Sequence, residues 1–416
     1  MKEKLLNKDN IMNIYITILL VVIPVIPLEY NKKLTTQLIL YAISTVLVII
    51  ALLFTRNINL KNKAKLEKVE YVLLIYIVLV FLSALFSQFG KVAFWGSAGR
   101  YEGFFTILLY ISIFYIMWKN FTFSKKIFNL VIIAVVIISI YGILQVVFDD
   151  SYMKIATGTM GNPNYLSTYL TMFLPIMMLI YLKNGKISYL CASCVAFVCL
   201  LLTRTTSGYL TFVINSIIII IYTIARKLGF KKLFILSICF AILFVGTNVL
   251  TKGRIGKEIN SLNTEIKQAS EDSTNIQKIG SGRVKIYLMA LDSLLEKPVF
   301  GVGPDCLAAY LILTGKTDSI IDKTHCEYLH IAVTTGIPSL IAYLVFLILI
   351  AEKILNKYKQ DKNNIIIFAI GLSILSYLIQ ATFSVSVTHV APIFWAMLGI
   401  GLNLAEKGDK DEESKL

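Results

Sequence analysis

The chain has 416 residues, 57% of them apolar and 16% charged, with a mean hydropathy of +0.74. A soluble globular domain holds about 45–50% apolar residues even with glycine counted, so the composition excludes disorder, a collagen-like or coiled-coil rod and a disulfide scaffold, and describes an integral membrane protein. The formal charge of +15, from 40 Lys and Arg against 25 Asp and Glu, reports orientation in such a protein before it reports nucleic acid, and no nucleic-acid partner is expected.

Stretches of about 17 to 25 mostly apolar residues mark candidate spans. They fall near 13–29, 36–55, 69–87, 103–118, 127–147, 165–182, 187–203, 207–225, 233–250, 328–350, 364–383 and 389–405. The first apolar run, Ile11 to Leu28, carries Pro24 and Pro27 and lacks a small-residue cleavage site, so it is expected to remain as a span. Short cytoplasmic connections should hold the Lys and Arg. Taking alternate connections, one set with both termini holds 24 cations and the opposite short loops hold six, among them Arg100 and Arg204. The expectation is therefore an all-α polytopic protein with about twelve transmembrane helices and both termini cytoplasmic. It divides into a membrane domain of nine helices over 1–250, an extracytoplasmic loop over 251–325, three more helices over 326–405 and a cytoplasmic tail over 406–416.

Chemistry in such a protein needs polar groups held at the water boundary. The first outer segment, Trp95-Gly-Ser-Ala-Gly-Arg100-Tyr-Glu102-Gly103-Phe104, presents an Arg and a Glu on a glycine-rich backbone; an interfacial anchor with an ordinary ion pair is the competing reading. Asp149-Asp150 has no third carboxylate beside it and reads as a solvated loop, not a metal site. Gly161-Asn162-Pro163-Asn164 is a turn that places Asn164 to cap the sixth span.

The long loop contains Ile255, Ile259, Leu262, Ile266 and Ala269 at helical spacing, the pattern of a helix lying on a surface. After Gly280-Ser281-Gly282 a second helix pattern starts at Arg283 and runs through Tyr287 to Leu295 before Pro298. Arg283 and Tyr287 share a face at i and i+4, at a helix start that favours anions; a snorkelling surface arginine has the same spacing. Pro298-Val-Phe-Gly301-Val-Gly303-Pro304-Asp305 makes a sharp turn, with Asp305 expected to cap a short helix ending at Gly315. The loop closes on Thr324-His325-Cys326-Glu327-Tyr328-Leu329-His330. A histidine at the mouth of a span suits acid–base work near neutral pH, with an acid-side fall in rate expected near about 6 to 7. His325 and His330 lie some 140° apart around a helix, which argues against a shared metal, and His330 and His389 read as helix-packing residues. Cys191-x-x-Cys194 reads as helix packing, while Cys306 and Cys326 lie where a disulfide is chemically open to them.

Taken in order, Gly99-Arg100-Tyr101-Glu102-Gly103, Gly161-Asn162-Pro163-Asn164, Gly282-Arg283 with Lys297-Pro298 and Gly301-Val302-Gly303, and His325-Cys326-Glu327-Tyr328-Leu329 with Gly336-Ile337-Pro338 resemble the O-antigen ligase and polymerase family from about residue 95 to 345. The resemblance implies a GT-C-like membrane protein of the bacterial cytoplasmic membrane with its active site on the extracytoplasmic face. It further implies transfer or polymerisation of a glycan carried on undecaprenyl diphosphate, with no metal or other cofactor. It puts Arg283 on the lipid diphosphate and His325 at the reacting centre, with Glu327 beside it. Family members often carry Ser-Arg-Gly where this chain has Thr203-Arg204-Thr205-Thr206-Ser207-Gly208, so Arg204 is displaced from the family position.

The residues suit that chemistry. A leaving diphosphate is stabilised by guanidinium forks and backbone N–H groups, which Arg283, Arg100 and Arg204 offer, with Asn162, Asn164 and Tyr287 as further substrate contacts. His325 is the expected base, with Glu327 or Glu102 in reserve, and a single displacement would invert the sugar. A transporter or lipid-linked glycan flippase shares the span count, but carriers place charged residues inside the bilayer and these spans offer little beyond Gln145 and Gln380. A peptidoglycan-type polymerase of similar architecture is the other alternative. The acceptor hydroxyl, on a glycan, lipid or protein, is not legible.

Overall fold

The computed structural model describes residues 7–26, 30–54, 66–148, 154–258, 260 and 279–407, and among them every regular element is a helix. Eight helices are long and apolar enough to cross a membrane: α1 (Lys8–Val25), α2 (Tyr30–Phe54), α3 (Lys68–Phe86), α6 (Lys125–Phe148), α7 (Pro163–Asn184), α9 (Thr206–Arg226), α10 (Phe230–Leu250) and α14 (Ile337–Gln360). Four shorter apolar helices complete the set: α5 (Phe104–Asn120), α8 (Ile187–Leu202), α15 (Ile365–Ala381) and α16 (Ala391–Glu406). These twelve fall on the twelve apolar stretches of the sequence. The remaining named helices are α4 (Gly90–Trp95), α11 (Ile279–Glu296), α12 (Leu307–Leu313) and α13 (Glu327–Thr335), the last packed against α3 and α14.

Helices α7, α15 and α16 form the centre, with α7 almost wholly enclosed and α10 largely on the outside. Because lipid offers helices no hydrophobic reason to associate, close packing and interhelical hydrogen bonds must hold them. Both are present. A Cβ on Gly399 of α16 would stand 2.4 Å from the Phe114 carbonyl oxygen of α5, so only glycine permits that approach. Asn215 of α9 donates to Ser376 of α15 at 2.8 Å.

The apolar run at 328–350 is one span in the sequence reading and two helices in the structure, α13 and α14, broken at Gly336. Gly336 takes φ +92°, and Pro338 lies in the first turn of α14. The turn after α11 fills the break. Val302 N–H donates to the Val333 carbonyl at 3.0 Å, Gly303 N–H to Thr334 at 2.8 Å, and Ile337 N–H to Pro298 at 2.9 Å. Ser83 of α3 donates to the Thr334 carbonyl as well, at 2.9 Å. Backbone groups freed by the break are thus paired inside the protein, the condition under which irregular backbone is tolerated beside a bilayer. The Gly301-Val302-Gly303 turn therefore has a packing role: it docks on the broken helix and fixes where α13 ends and α14 begins.

Residues 261–278, which carry most of the expected surface helix, and Asp149-Asp150 lie outside the described residues. Cys306 and Cys326 are both free thiols.

Candidate active site

The segment that enters α13 organises the site. Between Asp322 and Cys326 the chain buries Lys323 and Thr324 against the bundle and leaves Asp322, His325 and Cys326 half-buried. Thr324 Oγ1 donates to the Cys326 carbonyl at 2.8 Å and closes a bend, whose apex His325 adopts φ +55°. Left-handed backbone is unfavourable for a residue with a Cβ and persists where its surroundings over-determine it.

On the outer side of the bend stand Asp322 and His325, both half-buried. Arg100 Nε donates to Asp322 Oδ2 at 2.5 Å, and Arg100 Nη1 donates to the Tyr165 hydroxyl at 2.6 Å. Arg100 therefore pairs across the loops and not with Glu102, its neighbour in sequence. Tyr165 in turn stacks on His389, ring centroids 5.5 Å apart. Helix α11 closes the other flank, where Tyr287 Oη donates to the His325 carbonyl at 3.4 Å. Arg283 lies one turn earlier. It is half-buried, makes no ion pair with any described residue, and its charge acts on both Tyr287 and His325. Helical backbone begins at Ile279, four residues before the start read from the sequence, with Gly282 at φ +84° within it.

Burial, followed by the Arg283 and Arg100 charges, disfavours the imidazolium of His325, and Asp322 opposes this only in part, so its pKa lies below the ordinary histidine value. The ring is accordingly neutral at neutral pH. Asp322 is held below the usual carboxylate range: burial raises it, but the bond and charge of Arg100 outweigh that.

On the inner side Lys323 is 2% exposed and touches three segments. Its ammonium lies 2.7 Å from Glu102 Oε2, 3.3 Å from Asp305 Oδ1 and 3.3 Å from His330 Nε2. An ammonium only donates, so Nε2 of His330 is the acceptor and that ring is neutral. Asp305 Oδ2 collects Ser97 N–H at 2.7 Å, Ser97 Oγ at 2.8 Å and Glu102 N–H at 3.2 Å. Asp305 thus binds the α4–α5 loop; the residue at the start of α12 is Cys306, with no side-chain cap. Burial lowers the Lys323 pKa, but its carboxylate partners more than restore it, and Glu102 stays above the usual carboxylate range because burial outweighs the lysine.

Glu327 is buried beneath the bend, accepting from Tyr343 at 3.0 Å and Tyr377 at 2.9 Å. Glu102, Lys323, Glu327 and His330 share the wall of one cavity of ≈ 60 Å³ with Tyr343 and Trp395.

Of the expected site residues, His325, Arg283, Tyr287 and Arg100 come together on the outer face, while Glu102 and Glu327 face inward. Asn162 and Asn164 serve the start of α7, Asn162 being the cap and accepting Asn164 N–H at 2.8 Å; the residue that reaches the site is Tyr165, directly after the motif. Arg204, at φ +51° in the α8–α9 turn, donates to Glu258 at 3.3 Å. Lys323 and Asp322 went unnoticed in the sequence, because a lysine beside an aspartate in a long loop reads as a solvated pair. Among the described residues no three His, Cys, Asp or Glu side chains gather where a metal would sit.

A family model described as O-Antigen ligase matches residues 191–344, and no curated protein matches the chain. The matched stretch runs from α8 into α14 and so contains Arg204, Arg283, Lys323 and His325, with Arg100 and Glu102 outside it. Residues 191–344 are thus similar to the O-antigen ligase family.

Proposed function

We propose that this membrane protein transfers or polymerises a glycan from undecaprenyl diphosphate onto an acceptor hydroxyl at the extracytoplasmic face, with twelve spans and both termini cytoplasmic. What supports this most is one juxtaposition: a neutral His325 on a strained bend, flanked by the guanidiniums of Arg283 and Arg100.

In this reading the acceptor oxygen attacks the anomeric carbon while its proton passes to His325, and the bond between that carbon and the phosphate oxygen breaks. The electron pair leaves with the lipid diphosphate, and the sugar inverts. Arg283, which has no ion-pair partner among the described residues, meets the diphosphate as a bidentate fork. Arg100, already oriented by Asp322 and Tyr165, adds positive charge beside the leaving group. Glu102 and Glu327 support the site from beneath and do not reach substrate.

The test is transfer by the purified protein from a radiolabelled lipid-linked glycan to added acceptor. Release of undecaprenyl diphosphate with labelled product is expected. Movement of intact donor across a vesicle membrane, with no glycosidic product, would overturn the proposal in favour of a flippase.

A further inference from the structure

We propose that Lys323 is a positioning residue for this reaction: its buried ammonium, clasped by Glu102 and Asp305, fixes the bend that presents His325 to the acceptor. The inference rests on the reading of His325 as the base.

The partners of Lys323 show what it ties together. Glu102 comes from the α4–α5 loop, Asp305 from the turn between α11 and α12, and His330 from α13. These segments are remote in sequence, and the ammonium is their shared contact. Asp305 extends the tie through its second oxygen to Ser97 and to the Glu102 backbone. The cost of desolvating an ammonium is large and is offset only by well-placed carboxylates, so Lys323 has one stable place to sit, with its Nζ between Glu102 and Asp305.

That constraint lies two residues from His325. The preceding residue, Asp322, is held from the opposite side by Arg100. The chain is therefore gripped in two directions immediately before a residue at φ +55°, a conformation that relaxes unless it is held. A counter-ion for two buried carboxylates could stand anywhere near them; here it stands on the segment whose geometry the chemistry needs. Misplacing a reacting group by about 1 Å costs on the order of 10²-fold in rate.

Lys323→Met alone strands two buried carboxylates and endangers folding, so the decisive variant is Lys323→Met with Glu102→Gln, which removes one charge of each sign. Two measurements are made on the full chain purified in detergent. The first is the rate of His325 carbethoxylation by diethyl pyrocarbonate against pH, followed by mass spectrometry of the His325 peptide. In the unaltered chain the midpoint should lie below that of an ordinary histidine, and in the double variant it should rise toward it as the ring leaves its place beside Arg283 and Arg100. The second is transfer kinetics, where kcat should fall by about 10²-fold with donor KM unchanged.

A double variant that keeps both the original midpoint and most of its kcat reduces Lys323 to a counter-ion and overturns the inference, while leaving His325 as base untouched. If instead the unaltered chain transfers nothing from a lipid-linked donor but the midpoint still rises in the double variant, the functional reading fails and the control of His325 by Lys323 stands.

Discussion

Tyr287 Oη donates to the carbonyl of His325 at 3.4 Å, and so ties helix α11 to the bend that carries the imidazole. Arg283 lies one turn back on the same helix. The group proposed to accept a proton and the group proposed to hold the leaving diphosphate are thus referred to one another through a single contact.

The first prediction concerns His325. A base works deprotonated, so the rate falls as pH drops through its pKa. Burial and the two arginines hold that pKa below the ordinary value of about 6.5, so the acid limb of kcat/KM should lie lower than the sequence alone suggests. His325→Ala should lose about 10² to 10⁴ in transfer, with the acid limb abolished and donor binding retained. His389→Ala removes a ring stacked on Tyr165 and should cost far less. A normal rate and unchanged acid limb in His325→Ala would put the base elsewhere.

Arg283 is tested by shape as well as charge. A guanidinium meets a diphosphate with two parallel donors, and a lysine offers a point charge. Arg283→Lys should therefore lose nearly as much as Arg283→Ala, on the order of 10²-fold or more. Non-additivity with Arg100→Ala is expected if both act on one leaving group. Most of the activity surviving in Arg283→Lys would remove the fork from the mechanism.

The twelve apolar helices were legible because each span must satisfy its backbone internally, which leaves long runs with few charges. Arg283 and Tyr287 were candidates from their place early in a helix pattern and His325 from its place before an apolar run, and the structure brings the three near one another. The interior of the site was not legible. Glu102 and Arg100 sit two residues apart and looked like one ion pair, yet each pairs with a residue more than 200 positions away, Lys323 and Asp322. Such pairings are set by how the α4–α5 loop and the segment before α13 fold together, and no local periodicity records them. The break at Gly336 was hidden likewise: the apolar run is continuous, and the hydrogen bonds that make the break tolerable come from Gly301-Val302-Gly303.

That break yields a third prediction. A Cβ at position 336 would lie 1.9 Å from the Val299 carbonyl oxygen, and Gly336 holds φ +92°. The backbone strain alone costs about 1–3 kcal/mol for any other residue, and the overlap is with main chain that has nowhere to go. Gly336→Ala should lower the Tm in detergent and the transfer rate together, because the turn that holds the end of α13 against the start of α14 is displaced. Gly90→Ala, where nothing lies within 4 Å, is the control and should change neither.

Topology supplies the fourth. Ile320, 80% exposed in the segment before His325, should be extracytoplasmic if the division of short-loop cations is read correctly. Ile320→Cys, in a background lacking the six native cysteines, should react with an impermeant maleimide in intact cells or right-side-out vesicles. Reaction only from the cytoplasmic side would invert the assignment and place His325 on the wrong face for a lipid-linked donor.

The fifth separates Glu327 from His325. Both oxygens of Glu327 accept hydrogen bonds from tyrosines, Tyr343 at 3.0 Å and Tyr377 at 2.9 Å, and the residue is buried beneath the bend. A residue so placed is expected to support the start of α13 and not to receive a proton from an acceptor beside His325. Glu327→Gln can keep both contacts, since one tyrosine hydroxyl can accept from the new amide in place of donating; it should fold normally and retain transfer within about tenfold, well short of the 10² expected for losing the base. Glu327→Ala leaves two tyrosine hydroxyls without their partner, at about 1–3 kcal/mol each, and should lower the Tm while kcat falls only with the folded fraction. If Glu327→Gln folds as the unaltered chain does but loses as much rate as His325→Ala, and its acid limb disappears, then Glu327 is the base and His325 orients the acceptor.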